Sequence, residues 1–215
     1  MNELVIDTNT NQIGTSSNCR DPYDHFGPVE WVDKQIEYGS IEANISGRGL
    51  LPVLQQVQGE LICCEVGVCH GFTSEYLLNN MPNIKTYYAV DHYPTFVDWD
   101  GTRVTQERQD EIKKRCFDKL QPFSDKVQII YQDSGSFSRI IPDEHLNFVF
   151  IDGDHSYAAT TNDIICYWPK VKSGGIFAGH DINLKSVQDA VMNFFGEKVN
   201  QIKIVENNAW FFVKG

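Results

Sequence analysis

Four apolar residues, Phe148 to Ile151, run without a break into Asp152-Gly153-Asp154-His155-Ser156-Tyr157. A short unbroken apolar run suits a strand buried on both faces, as in a parallel sheet. Residues 61–66, 86–90, 127–131 and 176–179, each largely apolar, read as further strands. Between these runs the apolar positions change to helical spacing. They predict a helix following Gly71 as far as about Asn80, with Pro82 marking its end. A long helix over 102–120 carries Ile112, Cys116, Phe117 and Leu120 inward. A short helical piece over 137–141 stops at Pro142, and Tyr157, Thr161, Ile164, Ile165 and Trp168 share a face before Pro169. Val187, Ala190, Val191, Phe194 and Phe195 form the most strongly periodic stretch. Upstream, Pro28 opens a helix with Val29, Val32 and Ile36 on one side. A second helix follows Gly49, with Leu50, Leu51, Leu54 and Val57 inward and Gly59 as its end.

Alternating strands and helices give an α/β fold with a doubly wound, mainly parallel sheet. The chain then departs from that alternation. Residues 202–205 and 210–213 flank Asn207-Asn208, a hairpin signal because Asn tolerates positive φ. The expected architecture is therefore a seven-stranded sheet closing with an antiparallel hairpin. Residues 1–49 read as an arm and helix, and residues 50–215 as the body of a single domain. The polar tract at 8–18 reads as a flexible arm or a lid that orders on ligand binding.

Composition narrows the function. A 215-residue chain with 41% hydrophobic residues buries a proper core. A net charge of -11 argues against nucleic acid as main partner, since phosphate recognition needs clustered Lys and Arg. No apolar run approaches membrane-spanning length. Residues 1–6 are too short and acidic for a signal peptide, so a cytoplasmic protein is expected. Six cysteines form no CxxC pair and read as reduced thiols. Cys63 and Cys64 should face opposite sides of their strand.

The polar residues just past the strand ends are the candidates for chemistry, because ligands of open α/β sheets bind there. The first strand delivers Glu65-Val66-Gly67-Val68-Cys69-His70-Gly71-Phe72-Thr73-Ser74. Its two glycines allow a tight turn and close ligand approach, and the following helix offers free N–H groups to an anion. An ordinary strand-to-helix turn is an equal contender. Asp91, 24 residues after Gly67, ends the second strand and suits a bidentate contact to ribose hydroxyls. Together they imply an adenosine-containing ligand. His92 opens an aromatic loop with Tyr93, Phe96 and Trp99, which with Trp31 are either pocket wall or core. Asp133 and Ser134 follow the third strand and are placed to bond an adenine edge or simply to turn the chain. Asp152, Asp154 and His155 follow the fourth, and His180 and Asp181 the fifth.

The Glu-x-Gly-x-x-x-Gly turn, the strand-tip acid, the element order and the terminal hairpin resemble class I S-adenosylmethionine-dependent methyltransferases. The stretch Ile151 to Tyr157, followed by Gly174-Gly175 and His180-Asp181, is similar more narrowly to the small-molecule O-methyltransferases grouped with macrocin O-methyltransferase. The resemblance covers residues 50–215. It implies S-adenosyl-L-methionine held by Glu65, Gly67, Gly71, Thr73, Asp91, His92, Asp133, Ser134 and Asp152. It also implies a small-molecule acceptor, and a divalent metal at Asp152, His180 and Asp181. Asp152, His155 and His180 are the expected catalytic groups. Where relatives carry Asp-Asn or two acids, this chain has His180-Asp181. An imidazole there leaves Mg²⁺ fewer oxygen ligands, favours a softer ion such as Mn²⁺, or serves as a base. For His155 a backbone-bonding helix-start role carries equal weight. The rivals are a nicotinamide-dependent oxidoreductase, which would want Gly-x-Gly-x-x-Gly, a non-catalytic S-adenosylmethionine-binding protein, and a metal-dependent hydrolase. The acceptor and any homo-oligomeric state are left open.

Overall fold

The computed structural model describes residues 45–97 and 103–215. The expected arm at 8–18, the helix opened by Pro28, and Cys19, Trp31 and Trp99 lie outside the described residues.

The strands are β1 (Leu61–Val66), β2 (Ile84–Val90), β3 (Phe96–Val97), β4 (Arg103–Val104), β5 (Val127–Ile130), β6 (Leu146–Ile151), β7 (Val171–Gly179), β8 (Lys203–Ile204) and β9 (Trp210–Val213). Seven make one sheet in the order β5-β2-β1-β6-β7-β9-β8, while β3 and β4 pair separately. The five strands from β5 to β7 are parallel, and β9 runs antiparallel to both β7 and β8. This is the expected doubly wound sheet with its closing hairpin. Asn207 (φ 60°) and Asn208 (φ 56°) supply the left-handed turn between β8 and β9.

The helices are α1 (Leu51–Leu54), α2 (Phe72–Asn80), α3 (Gln106–Leu120), α4 (Ser134–Ser138), α5 (Tyr157–Tyr167) and α6 (Lys185–Phe195). One face of the sheet packs against α1, α2 and α3 through Leu54, Leu77, Ile112, Cys116 and Leu120. The other packs against α4, α5 and α6 through Phe137, Ile164, Tyr167, Val191 and Phe195. Cys63 belongs to the first core and Cys64 to the second, as strand alternation requires. Far from the strand tips, Trp168 makes edge contacts with Phe177, Phe194, Phe195 and Phe212. Each such pair is worth about 0.5–1.5 kcal/mol beyond its buried area.

Several boundaries differ from those read in the sequence, each for a local reason. α3 starts only at Gln106, because Thr105 caps it by accepting the Arg108 amide and residues 103–104 pair with 96–97. Phe117, expected inside, is 50% exposed, so the buried stripe is narrower than the apolar one. α4 begins at Ser134 instead of residue 137, since Asp133 accepts the Ser136 amide as its cap. α5 buries Thr160, Asp163, Ile164 and Tyr167, leaving Tyr157 and Ile165 exposed. Tyr157 instead receives a hydrogen bond from Asn193 of α6. β7 starts at Val171 and runs through Gly174-Gly175, where the register with β6 shifts. The helix after Gly49 amounts to a 3-10 turn and one α turn. Among the described residues no helix is long and apolar enough to cross a membrane.

Candidate functional site

Parallel strands aim their carboxyl ends the same way, so the polar residues after β5, β2, β1, β6 and β7 form one row along one sheet edge. Every candidate residue of the described segment lies in that row or in the first turn of helix behind it, except the Glu65 side chain, which lies beneath it.

The loop Gly67–Gly71 is built by backbone constraints. Gly67 has φ +84°, and a Cβ there would stand 2.2 Å from the Asp152 carbonyl oxygen. Only glycine lets the end of β6 close over this turn, which the Asp152 amide seals by donating to Val66 O at 2.8 Å. Gly71 (φ +76°) starts α2 in the left-handed region. Asp91 ties the loop to β2. Its Oδ2 accepts the Cys69 amide and its Oδ1 the Tyr93 amide, at 2.9 and 2.8 Å. The Tyr93 hydroxyl donates to Cys69 O at 2.9 Å. Tyr93 is thus a buried strut of the loop, and His92 beside it is exposed.

Glu65 and Thr73 face inward. Glu65 is 1% exposed, and Ser74 Oγ and Tyr87 OH both donate to its Oε2. Burial raises its carboxyl to about 8, although both hydrogen bonds pull the other way. Thr73 is buried, and its Oγ1 accepts the Gly47 amide. At the β5 tip, Asp133 is exposed as the α4 cap, and its hydrogen bonds from Ser136 hold its carboxyl low. The Ser134 hydroxyl donates to Asp163 of α5. Asp163 is buried, and that burial raises its carboxyl to about 6. It was not legible in the sequence, where it is one polar residue in an amphipathic helix.

Asp152, His155, His180 and Asp181 converge. His155 Nε2 lies 3.0 Å from Asp181 Oδ2 and 3.8 Å from Asp152 Oδ1. His180 Nδ1 lies 3.4 Å from Asp152 Oδ1 and 3.2 Å from Asp181 Oδ2. Asp181 sits at φ +54°, a strained conformation that turns its carboxylate toward the pair of histidines. Burial alone would raise Asp152, but bonds from His155 and His180 hold its carboxyl below the usual range. Burial alone would lower His180, but the two carboxylates push it up to about 10. The same balance raises His155. His155 reaches the rim with 45% of its side chain exposed, while His180 is 15% exposed and its Nε2 is buried without a partner. Asp154 turns away to accept the Ser156 amide.

Donor atoms of Asp152, His155 and Asp181 all lie within 4.8 Å of one another. Ligand atoms about 2.1 Å from one ion stand roughly 3–4 Å apart, so this set comes near the spacing of a divalent-metal site and would have to draw in slightly to hold an ion. A shallow cavity of about 490 Å³ lies at the opposite edge, near Gln55, Glu60 and Asn83. It has no comparable cluster, so the strand-tip row is the better candidate.

Residues 64–182 match the family model described as a methyltransferase domain. No curated protein matches the chain in sequence. Among solved structures, the O-methyltransferase NovP is similar at 18% identity and a TM-score of 0.54, over 81% of this chain and 78% of that one. Precorrin-6y C5,15-methyltransferase from Geobacter metallireducens gives 18% and 0.52, over 76% and 85%. Precorrin 8W decarboxylase from Methanobacterium thermoautotrophicum gives 15% and 0.53, over 75% and 85%. At these identities the likeness is one of fold.

Proposed function

The chain belongs to the methyltransferase domain family, as a class I S-adenosylmethionine-dependent methyltransferase, and on that premise we propose that it methylates a hydroxyl oxygen of a small molecule. The observation that carries this reading is the His155–Asp181–Asp152–His180 cluster on the strand ends beside the loop Gly67–Gly71. A hydroxyl is a poor nucleophile until its proton is removed or its oxyanion stabilised, and this cluster offers the groups for either.

S-adenosylmethionine, when bound, supplies a sulfonium methyl as the electrophile. The chain's own residues bind, orient and move the proton. Each Asp91 oxygen takes one backbone N–H and keeps lone-pair capacity for a ribose hydroxyl. Gly67 and Gly71 keep the backbone close to the ligand. His92, Asp133 and Ser134 flank the adenine end, with Asp163 fixing the Ser134 hydroxyl. Glu65 and Thr73 serve from below, holding α2 and the segment before α1 in place. His155 stands at the rim, where a proton leaving the acceptor hydroxyl reaches it first. Asp152 and Asp181 stabilise the imidazolium that results, and His180 orients both carboxylates. Holding acceptor and methyl in line contributes several kcal/mol more.

A second reading is favoured by the donor spacing. Asp152, His155 and Asp181 would hold a divalent ion, with His180 Nδ1 facing two of the ligands. Such an ion would lower the pKa of the acceptor hydroxyl. The imidazole in this set suits Mn²⁺ better than Mg²⁺.

The test is a calorimetric titration with S-adenosylhomocysteine, with and without Mg²⁺ or Mn²⁺, against NADH as control, followed by a panel of phenols, sugars and hydroxylated peptides. Micromolar thioether binding and transfer to one panel class is the expected result. Binding without transfer to any class would leave a cofactor-binding protein and overturn the enzyme reading.

A further inference from the structure

The inner face of α5 carries Thr160, Asp163, Ile164 and Tyr167. These positions recur at helical spacing, so a carboxyl and a phenol are turned toward the sheet along with the apolar stripe. Asp163 is 5% exposed and Tyr167 is fully buried. A carboxylate so deep is costly unless it is hydrogen-bonded. The partner of Asp163 is Ser134, the first residue of α4 at the β5 tip.

Asp163 and Tyr167, one turn apart on α5, hold Ser134 at two points. The Ser134 hydroxyl donates to Asp163 Oδ1, and the Tyr167 hydroxyl donates to Ser134 O at 2.9 Å. Backbone and side chain of Ser134 are both fixed, and what stays variable is the placement of one hydrogen. The other carboxyl oxygen lies on the β6 side. A Cβ on Gly153 would stand 3.6 Å from Asp163 Oδ2 and 3.7 Å from Val66 Cγ1. Asp163 therefore floors the gap between the β5 tip and the exit of β6, with the tips of β2 and β1 between them. That gap is part of the crevice in which open α/β sheets take their ligands.

A serine hydroxyl has one hydrogen and two lone pairs. While Asp163 is ionised, the Ser134 hydrogen is spent inward, and toward a ligand the oxygen can only accept. A protonated Asp163 has a hydrogen of its own to give Ser134 Oγ, which releases the serine hydrogen to the ligand side. The charged and titratable groups facing this carboxyl are Asp154 before α5, Asp133 at the α4 cap and His92 after β2. Cys64 of β1 lies behind, beside Tyr167 on α5 itself. Burial, opposed by the Ser134 bond, and then the fields of Asp154 and Asp133 raise Asp163 to about 6. The two states of the Ser134–Asp163 pair therefore exchange within an ordinary range of pH.

We propose that Asp163 is a positioning residue that sets the polarity of Ser134, so that this corner of the crevice accepts from an amino group on the ligand's base and turns donor when the carboxylate takes up a proton. The proposal rests on the methyltransferase reading, in which that base is adenine. The amino group at C6 of adenine donates. The carbonyl at C6 of the deaminated base, hypoxanthine, only accepts, and would face a serine oxygen that has no hydrogen left to give. Ionised Asp163 thus selects for adenine, and protonated Asp163 relaxes the selection.

The experiment titrates S-adenosylhomocysteine and its deaminated analogue S-inosylhomocysteine, by calorimetry at pH 7.5 and at pH 5, into the protein and its Asp163→Asn and Ser134→Ala variants. The parent is expected to prefer the adenosyl thioether at pH 7.5. That preference should shrink about tenfold by pH 5, because roughly one-tenth of a carboxyl stays ionised one unit below its pKa. Taking the ratio of two ligands cancels titrations common to both, that of Glu65 included. Asp163→Asn keeps the shape of the side chain, and its preference should no longer change with pH. Ser134→Ala should lose most of the preference at both pH values. A parent preference that does not move with pH, or that moves equally in Asp163→Asn, overturns the proposal. Equal binding of the two thioethers at pH 7.5 sinks the polarity of Ser134 alone, whereas binding of neither sinks the methyltransferase reading and this proposal with it. Circular dichroism checks the fold of each variant. If Asp163→Asn does not fold, Ser134→Ala decides, since a pH-dependent preference that survives loss of the hydroxyl overturns the role.

Discussion

Asp91 Oδ2 accepts the amide hydrogen of Cys69 at 2.9 Å, so the acid at the tip of β2 is already spent in part on shaping the loop after β1. Asp91→Ala is therefore expected to act twice. It would remove the proposed ribose contact and release the loop, weakening S-adenosylhomocysteine by about tenfold to a hundredfold and lowering the thermal midpoint as well. Calorimetry and a melt on one sample check both. An unchanged midpoint would mean that the loop holds its shape without the acid.

Gly67→Ala should be among the most damaging single changes in the chain. The added methyl meets the Asp152 carbonyl at 2.2 Å with φ at +84°, so strain and clash combine. A loss of roughly 3 kcal/mol or more is expected, read as reduced soluble yield and a large fall in denaturant midpoint. Gly59→Ala is the control, since it shares a positive φ but meets nothing within 4 Å. Its cost should be far smaller.

Glu65 makes stability depend on pH. Its folded carboxyl sits at about 8, well above the ordinary carboxylate range. A raised folded pKa means that the native state holds a proton the unfolded chain has released. This group's contribution is full below about 4.5, declines as pH rises, and is lost through about pH 8. At about 1.4 kcal/mol per pKa unit, the loss amounts to a few kcal/mol. Glu65→Gln should flatten the stability curve between pH 5 and 8 and leave the mutant the more stable at pH 9. Urea melts at four pH values would show parallel curves if the side chain did not titrate there.

Mn²⁺ provides the sharpest test of the cluster. Its electron paramagnetic resonance signal should broaden on addition of protein and return with Asp152→Ala or Asp181→Ala. His180→Ala is expected to weaken binding about tenfold to a hundredfold by loosening both carboxylates. Undiminished signal at equimolar protein would leave His155 as the base and exclude the ion. Chelator treatment then should not change the rate of methyl transfer.

Much of this architecture was legible because burial on both faces leaves a strand little choice of residues. Residues 148–151 form an unbroken apolar run and 61–66 nearly one, and their ends located Asp152 and the loop Gly67–Gly71. Asn207-Asn208 announced the hairpin through backbone chemistry alone. Helix faces were less readable. Phe117 and Ile165 are apolar but exposed, since a helix needs only part of its apolar surface covered, and periodicity cannot say which part. The inward turn of Glu65 was also hidden, because the partners that make burial tolerable, Ser74 and Tyr87, come from other elements. Asp163 carried no motif. Only the packing of α5 under Ser134 gives it a setting.

β9 lies between β7 and β8, and its Trp210 packs on Gly179 while donating Nε1–H to His180 O at 3.2 Å. β8 therefore has no strand to pair with until β9 is seated on β7. The turn carrying His180 and Asp181 likewise lacks its brace until an indole 30 residues downstream arrives. A chain that lost the closing hairpin would keep its five parallel strands and loosen the turn that carries His180 and Asp181.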